Sequence, residues 1–353
     1  MIRSLALTNF RSYKTIELVF EDNLTVIHGP NAVGKTNLLE SIFVASTSKS
    51  FRAKDIDLIH TGEELFRVVA GFDDDLVELS LLSKGGSRSK RLKLNNKKQS
   101  LHSLLGRNPV TLFEPHDMLL FDDSPERRRR YLDTVLCQVS PIYTEALTTY
   151  RRALKQRNSL LHASKLRGGF ASDDELFVWD VQLSEPGKKL YSLRCEFIAE
   201  LSPLVSQVYE EIAGRHTELQ LVYMPSVDLA EQDLLVALQS VRVKDRGAGF
   251  TTIGPHRDDI GLRFKGGDIT NTASRGETRT AILALKIAEM RFITQRLGKK
   301  PILLLDDVFS ELDAERRKHL MELISSQQTL LTTTEVDKNI PKDCYLIDLS
   351  GVR

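Results

Sequence analysis

Cysteine is scarce. The 353 residues hold 3, Cys137, Cys195 and Cys344, with no C-x-x-C pair. That argues against a disulfide scaffold and structural zinc, and fits a reducing compartment. Long apolar runs are also missing: none approaches the roughly 20 residues a membrane-spanning helix needs. The first stretch, MIRSLALTNFRSYKTIELVF, alternates like strands and lacks the apolar block of a secretory signal. A soluble, cytoplasmic protein with no membrane partner is expected. Neither sign of charge dominates, since 49 Lys+Arg face 48 Asp+Glu for a net +1. A nucleic-acid partner would therefore meet a local basic patch. There is no internal repeat and no low-complexity tail.

What is present is a chain long enough for more than one core, so two lobes are expected. Strand-like runs fill residues 2–28, and 65–101 read as antiparallel sheet, with Asn95-Asn96 suited to a tight hairpin turn. Residues 117–216 are almost wholly helical in pattern, broken by RGGFASDD, and read as an antiparallel helical arm. Strands resume near 217, and 250–353 alternate strand and helix. The expected division is 1–116 and 217–353 as the two sequence halves of one α/β lobe, with 117–216 inserted as a mostly helical second lobe.

GPNAVGKT, Gly29–Thr36, follows a strand-like NLTVIH and precedes a helical run. This matches the phosphate-binding loop G-x-x-x-x-G-K-[ST] in its required context. Gly29 and Gly34 let the backbone curl, so that the amides of Gly29, Pro30, Asn31, Ala32, Val33 and Gly34 and the helix start cradle phosphates (proline excepted as a donor). Lys35 reaches the β- and γ-phosphates, and Thr36, followed by Asn37, offers a hydroxyl to Mg²⁺. In PILLLDDVFSELD, the apolar run Ile302–Leu305 reads as a buried parallel strand with acids at its C-terminal end. Asp306 is expected to hold Mg²⁺, directly or through water, and Asp307 to orient and deprotonate the attacking water.

Ser274, Arg275, Gly276 and Glu277 open a further helical run, and Ser274 with Glu277 suits a capping box. The same Ser-x-Gly-Glu resembles the signature motif of ABC-type ATPases. There the helix start contacts the γ-phosphate of an ATP held by another subunit, which implies a head-to-tail homodimer.

The motifs LTNFRSY, GPNAVGKTNLLESI, SKSFRAKDIDLI, FEPHDMLLFDDSPERRRRYLD, GPHRDDI, SRGETRT and LLLDDVFSELD occur in the order expected of the RecF family. These are bacterial recombination mediators related to SMC heads, and the resemblance runs from end to end. It implies an ABC-type ATPase head, with a mixed sheet, a phosphate-loop core and an antiparallel β region. It further implies ATP and Mg²⁺ as cofactors, an ATP-dependent homodimer and slow, DNA-stimulated hydrolysis acting as a switch. Sequence-independent binding to gapped or junction DNA is implied as well, as is work with RecR and RecO to load RecA, in recombinational repair and the SOS response. It places Ser310 and Asp313 on the loop crossing the dimer interface, and one of Arg11 and Arg52 near the nucleotide. Departures are His116 in FEPHD, Arg279 for a lysine, and LLTTTE without the ABC switch histidine, which leaves Thr333 or Thr334 as a γ-phosphate sensor. Aspartate at 307, where ABC heads mostly carry glutamate, is one methylene short and predicts slow hydrolysis. A transporter ATPase would not explain the arm, and the arm is too short for an SMC-type coiled coil.

For DNA, the densest basic run is 84–98, with Arg88, Lys90, Arg91 and Lys93 as candidates; a charge-protected edge strand is the other reading. Arg127 and Arg128 of ERRRR come second. Arg151, Arg152, Lys155 and Arg157 read as a solvated helix face, Trp179 as core, and GPHRDD as a polar turn.

Overall fold

The computed structural model describes residues 1–311, 313–324, 327–334, 341 and 344–351. The chain separates into two units, residues 1–118 with 289–353 and residues 119–288. Packing therefore groups residues 217–288 with the helices, where the sequence division joins them to the C-terminal half.

The first unit holds two sheets. β1 (Ile2–Phe10), β2 (Tyr13–Val19), β4 (Leu65–Phe72), β5 (Leu76–Lys84), β6 (Ser87–Leu94) and β7 (Lys97–Gln99) form an antiparallel sheet in the order β2-β1-β4-β5-β6-β7. Its apolar residues alternate, so one face is buried and the other is solvated. Its last two hairpins turn at Gly85-Gly86 and Asn95-Asn96, all four with positive φ, as a turn matching the strand twist requires. β3 (Leu24–His28), β8 (Val110–Phe113), β12 (Ile302–Asp306), β13 (Thr329–Thr333) and β14 (Tyr345–Asp348) form the second sheet, all parallel, in the order β14-β3-β13-β12-β8. β8 and β12 are buried at every position, which is why they read as continuous apolar runs. α1 (Lys35–Thr47) is buried from Leu38 to Ser46 and shares the apolar core with both sheets. α9 (Ala314–Ile324) precedes β13.

The second unit carries α2 (Pro125–Val139), α3 (Pro141–Leu166) and α4 (Asp173–Ala213), then β9 (Leu219–Met224), α5 (Leu234–Ser240), α6 (Arg242–Ala248), β10 (Asp259–Phe264), β11 (Gly267–Asp268), α7 (Ile269–Thr272) and the start of α8 (Arg275–Leu297). α3 lies along α4, as the arm reading expects. α4 starts on a capping box, Ser172 with Glu175. β9, β10 and β11 form their own antiparallel sheet, so the strand–helix alternation expected from residue 250 begins only at α8.

Arg157 is not on a solvated face. It is fully buried and bonded to Asp180 at 2.8 Å, Asp245 at 2.7 Å and Thr251 at 2.8 Å. A buried guanidinium is tolerable only with such partners. Trp179 is half-buried rather than enclosed. Among the described residues no helix is long and apolar enough to cross a membrane.

Candidate functional site

The site forms where the parallel strands of the first unit end. β3 hands the chain to Gly29, and α1 begins at Lys35. Between them Ala32 and Gly34 take left-handed torsions, φ 65 and 114. At Gly34 an added Cβ would stand 2.7 Å from the Tyr13 hydroxyl and 2.8 Å from that of Ser12. Both torsion and space therefore demand glycine. Gly34 caps α1 with no side-chain bond, so the first amides of the helix stay open to an anion. The Lys35 ammonium folds back over the loop and donates to the carbonyls of Gly29 at 2.7 Å and Pro30 at 3.0 Å. Burial lowers its pKa, against the pull of Asp307 and Asp306.

Thr36 Oγ1 donates to Asp306, 2.9 Å from each carboxylate oxygen. Thr332 Oγ1, from β13, donates to Asp306 Oδ1 at 2.8 Å and accepts the Asp307 N–H at 3.0 Å. Asp307 has left-handed φ, 52, an uncommon torsion for a residue with a side chain. The parallel register that pairs Asp306 with Thr332 makes this arrangement. Thr332 thus contacts both acids. Thr36, Asp306 and Asp307 offer only hard oxygen donors, a set that suits a divalent cation such as Mg²⁺.

A second network secures the start of α1. Glu40 is fully buried within α1. It accepts two bonds from Arg11 at 2.8 Å, one from Arg52 at 2.9 Å and one from Ser50 at 2.5 Å. Burial would raise its pKa, but these bonds outweigh burial and hold it below the ordinary carboxylate value. Asn37 accepts from Arg52 at 2.6 Å and donates to Ser12 at 2.8 Å. Arg11 and Arg52 thus bracket α1 with their guanidinium groups bonded to Glu40. A lone Glu in the apolar run NLLESIFVAS was the available signal for this network.

Ser274–Glu277 lie in the second unit. Ser274 and Arg275 are exposed and Gly276 is half-buried. The Glu277 carboxylate takes the Ser274 N–H and hydroxyl, both at 2.9 Å, and the Ser274 hydroxyl takes the Glu277 N–H at 3.3 Å. The capping box is thus formed. These bonds, first that of the Ser274 N–H, bring the Glu277 pKa down to about 2. Asp313 is exposed and accepts the Arg316 N–H at 3.0 Å, capping α9. The Ser310 side chain lies outside the described residues.

The basic candidates divide. Lys90 is spent inside the first unit, on Asp55 at 2.7 Å and the Ser48 carbonyl. Arg128 is buried against Asp259, at 2.7 and 2.8 Å. Neither is free to face DNA: Lys90 points to the opposite side of β6 from Arg91 and Lys93, and α2 turns Arg128 inward. Lys93 pairs with Glu78 at 3.1 Å, and Arg127 is half-buried near Asp123 at 3.4 Å. Arg88, Arg91, Lys97 and Lys98 are exposed, with no ion pair among the described residues.

Comparison with known proteins gives consistent matches. Residues 1–339 match the family described as RecF/RecN/SMC N terminal domain. A DNA replication and repair protein RecF from Agathobacter rectalis is 36% identical over 99% of this chain and 96% of its own length. One from Bacillus cereus strain G9842 is 39% identical over 95% and 92%. A solved structure of the recombination mediator protein RecF with ATPrS, in the RecFOR pathway, superposes with a TM-score of 0.89 at 31% identity, covering 99% of this chain and 96% of that one. An SMC head bound to a winged-helix domain of ScpA, 17% identical over 95% of this chain and 89% of its own, shares the fold with a TM-score of 0.51.

Proposed function

The chain belongs to the RecF/RecN/SMC family, as one of its RecF-type DNA replication and repair members, and from that premise we propose that it is an ATP-gated DNA clamp. The observation that carries this reading is the bonded path Thr36–Asp306–Thr332–Asp307, which ties the phosphate loop to the strand-end acids. In this reading Lys35 exchanges its carbonyl partners for the β- and γ-phosphates, and the open amides at the start of α1 hold the rest. Thr36 and Asp306 are the donors for Mg²⁺, which when bound neutralises charge between the phosphates. Asp307 orients the attacking water and takes its proton. Its short side chain keeps turnover slow, because a displacement of about 1 Å costs about 10²-fold.

Ser274, Arg275, Gly276 and Glu277 present the start of α8 to ATP held by a second copy, with Ser310 and Asp313 at the same interface. The homodimer is therefore head-to-tail and closes on ATP. Arg88 and Arg91, flanked by Lys97 and Lys98, contact DNA phosphates without reading sequence, at gaps or junctions. RecR and RecO are the partners and RecA loading is the outcome, in the cytoplasm.

The test is anisotropy of labelled gapped DNA with Asp307→Asn protein, first with ATP and then with ADP. Tight binding with ATP alone is expected. Equal binding in both states would remove the gate from the reading.

A further inference from the structure

Two sequence motifs that the ATP site does not use, ERRRR and GPHRDD, meet within the second unit. α2, α3, α4 and the loop before β10 line an open cleft of about 380 Å³ between them. Four arginines line it, Arg129, Arg130, Arg151 and Arg194, against two carboxylates, Glu126 and Asp133. Asp133 is already shared. It takes Arg194 at 3.0 Å, Arg151 at 2.6 Å and the Tyr143 hydroxyl. Glu126 faces Arg130 at 3.6 Å on the exposed rim.

Arg129 is left over. It is half-buried and donates to the Asp258 carbonyl at 2.8 Å. No carboxylate among the described residues lies within ion-pair distance of it. Burial disfavours its charge, Asp259 and Glu126 offset part of that, and Arg194 and Arg257 add repulsion. His256 adds no further charge. Its Nε2 donates to the Thr251 carbonyl at 3.0 Å, its Nδ1 accepts from the Tyr150 hydroxyl at 2.8 Å, and burial pushes its pKa down to about 4.

We propose that this cleft binds a phosphate monoester, with Arg129 and the rim arginines Arg130 and Arg151 contacting the phosphoryl oxygens above the buried charge of Arg194. Asp258 lies 3.7 Å from Arg194, so four guanidinium groups against three carboxylates leave one positive charge, centred on Arg129, and a phosphate monoester supplies the anionic oxygens to meet it. The floor of the cleft is closed. Arg194 and Tyr150 are each 2% exposed, so the phosphoryl group rests above them, against Arg129, Arg130 and Arg151. A phosphate linked on one side only, whether free, on a small organophosphate or at the end of a DNA strand, presents three oxygens to these three guanidinium groups; an internal diester of a duplex presents two.

The test compares wild type with Arg129→Gln by thermal denaturation in rising inorganic phosphate at constant ionic strength. Phosphate held by the ATP loop raises both midpoints alike, so the difference between the curves reports this cleft. A saturable shift in wild type, displaced at least about tenfold to higher phosphate in the variant, is expected; coincident curves overturn the proposal. If Arg129→Gln does not fold, Arg130→Gln on the exposed rim replaces it. Gapped DNA with a 5′-phosphate or a 5′-hydroxyl identifies the source. A preference for the phosphate end in wild type, lost in the variant, assigns a strand terminus. Equal binding of the two ends, with the inorganic phosphate difference retained, assigns a small molecule. ATP affinity, measured on the same proteins, should be unchanged; it tests the clamp reading separately.

Discussion

The parallel sheet of the first unit keeps its charged groups at strand ends, each bonded to another residue of the site. The antiparallel sheet wears its charges along one outer face, where Arg91 and Lys93 alternate with the buried Leu92 and Leu94. In the first, Thr36, Asp306, Thr332 and Asp307 form one connected network, and beside it Arg11, Arg52 and Ser50 form another on Glu40 of α1. In the second, Arg88 and Arg91 stand alone among the described residues. Charges in a network act as a unit, so one substitution should undo the function of several residues. Charges on an open face should act additively and leave the fold alone.

Asp306→Asn should break the contrast most. It removes the negative charge and replaces one of the two carboxylate oxygens that Thr36 and Thr332 share with an NH2 donor, and ATP hydrolysis should fall by about 10²–10³, read by phosphate release at saturating ATP. An unaffected rate would mean that the strand-end network is not the reacting centre. Next is Glu40→Gln, which strips two arginines of their carboxylate. A loss of about 2–3 kcal/mol is expected, less than for a wholly enclosed pair because Arg11 and Arg52 reach solvent. The sign with pH follows from a depressed folded pKa. The contribution is present above the unfolded value of about 4.3 and fades as pH falls through the folded one. Denaturant midpoints of the two proteins should stay apart from pH 7 to about pH 4 and converge below.

Gly34→Ala is the third. A left-handed torsion and a clash with Tyr13 and Ser12 should together cost about 1–3 kcal/mol and displace the loop, lowering ATP affinity in a nucleotide-binding titration. Mildest for the fold is the pair Arg88→Glu and Arg91→Glu. Stability should move by less than about 0.5 kcal/mol. The slope of log affinity for DNA against log salt should flatten by about 0.9 for each DNA phosphate that is no longer neutralised. An unchanged slope would leave these residues as guards of an edge strand.

What could be read from the sequence tracks how local the cause is. The phosphate loop, the acids after ILLL, the hairpin at Asn95-Asn96 and the Ser274–Glu277 cap are set by neighbours within a few residues. The partners within the site are not. Thr36 meets Asp306 across 270 residues, and the role of Thr332 depends on a parallel register that no local pattern encodes. Basic runs were legible as runs, but the side chains they spend internally were not. Lys90, Arg128 and Arg157 are each neutralised by an acid from a distant segment. The second boundary was missed for a related reason: β9 and β10 are short amphipathic strands whose sheet, rather than their sequence, decides which core they join.

The position of β3 bears on how the protein is made. Its two neighbours, β13 and β14, are Thr329–Thr333 and Tyr345–Asp348, so a ribosome translates the phosphate-loop strand long before either partner exists. At ~5–20 residues per second the nascent Leu24–His28 waits on the order of 15–60 s with both edges unsatisfied. Throughout that time its apolar run is a target for chaperones and for misplaced pairing. Nucleotide binding is thus among the last properties the newborn chain acquires, and a message truncated before β13 should yield a product that never holds ATP.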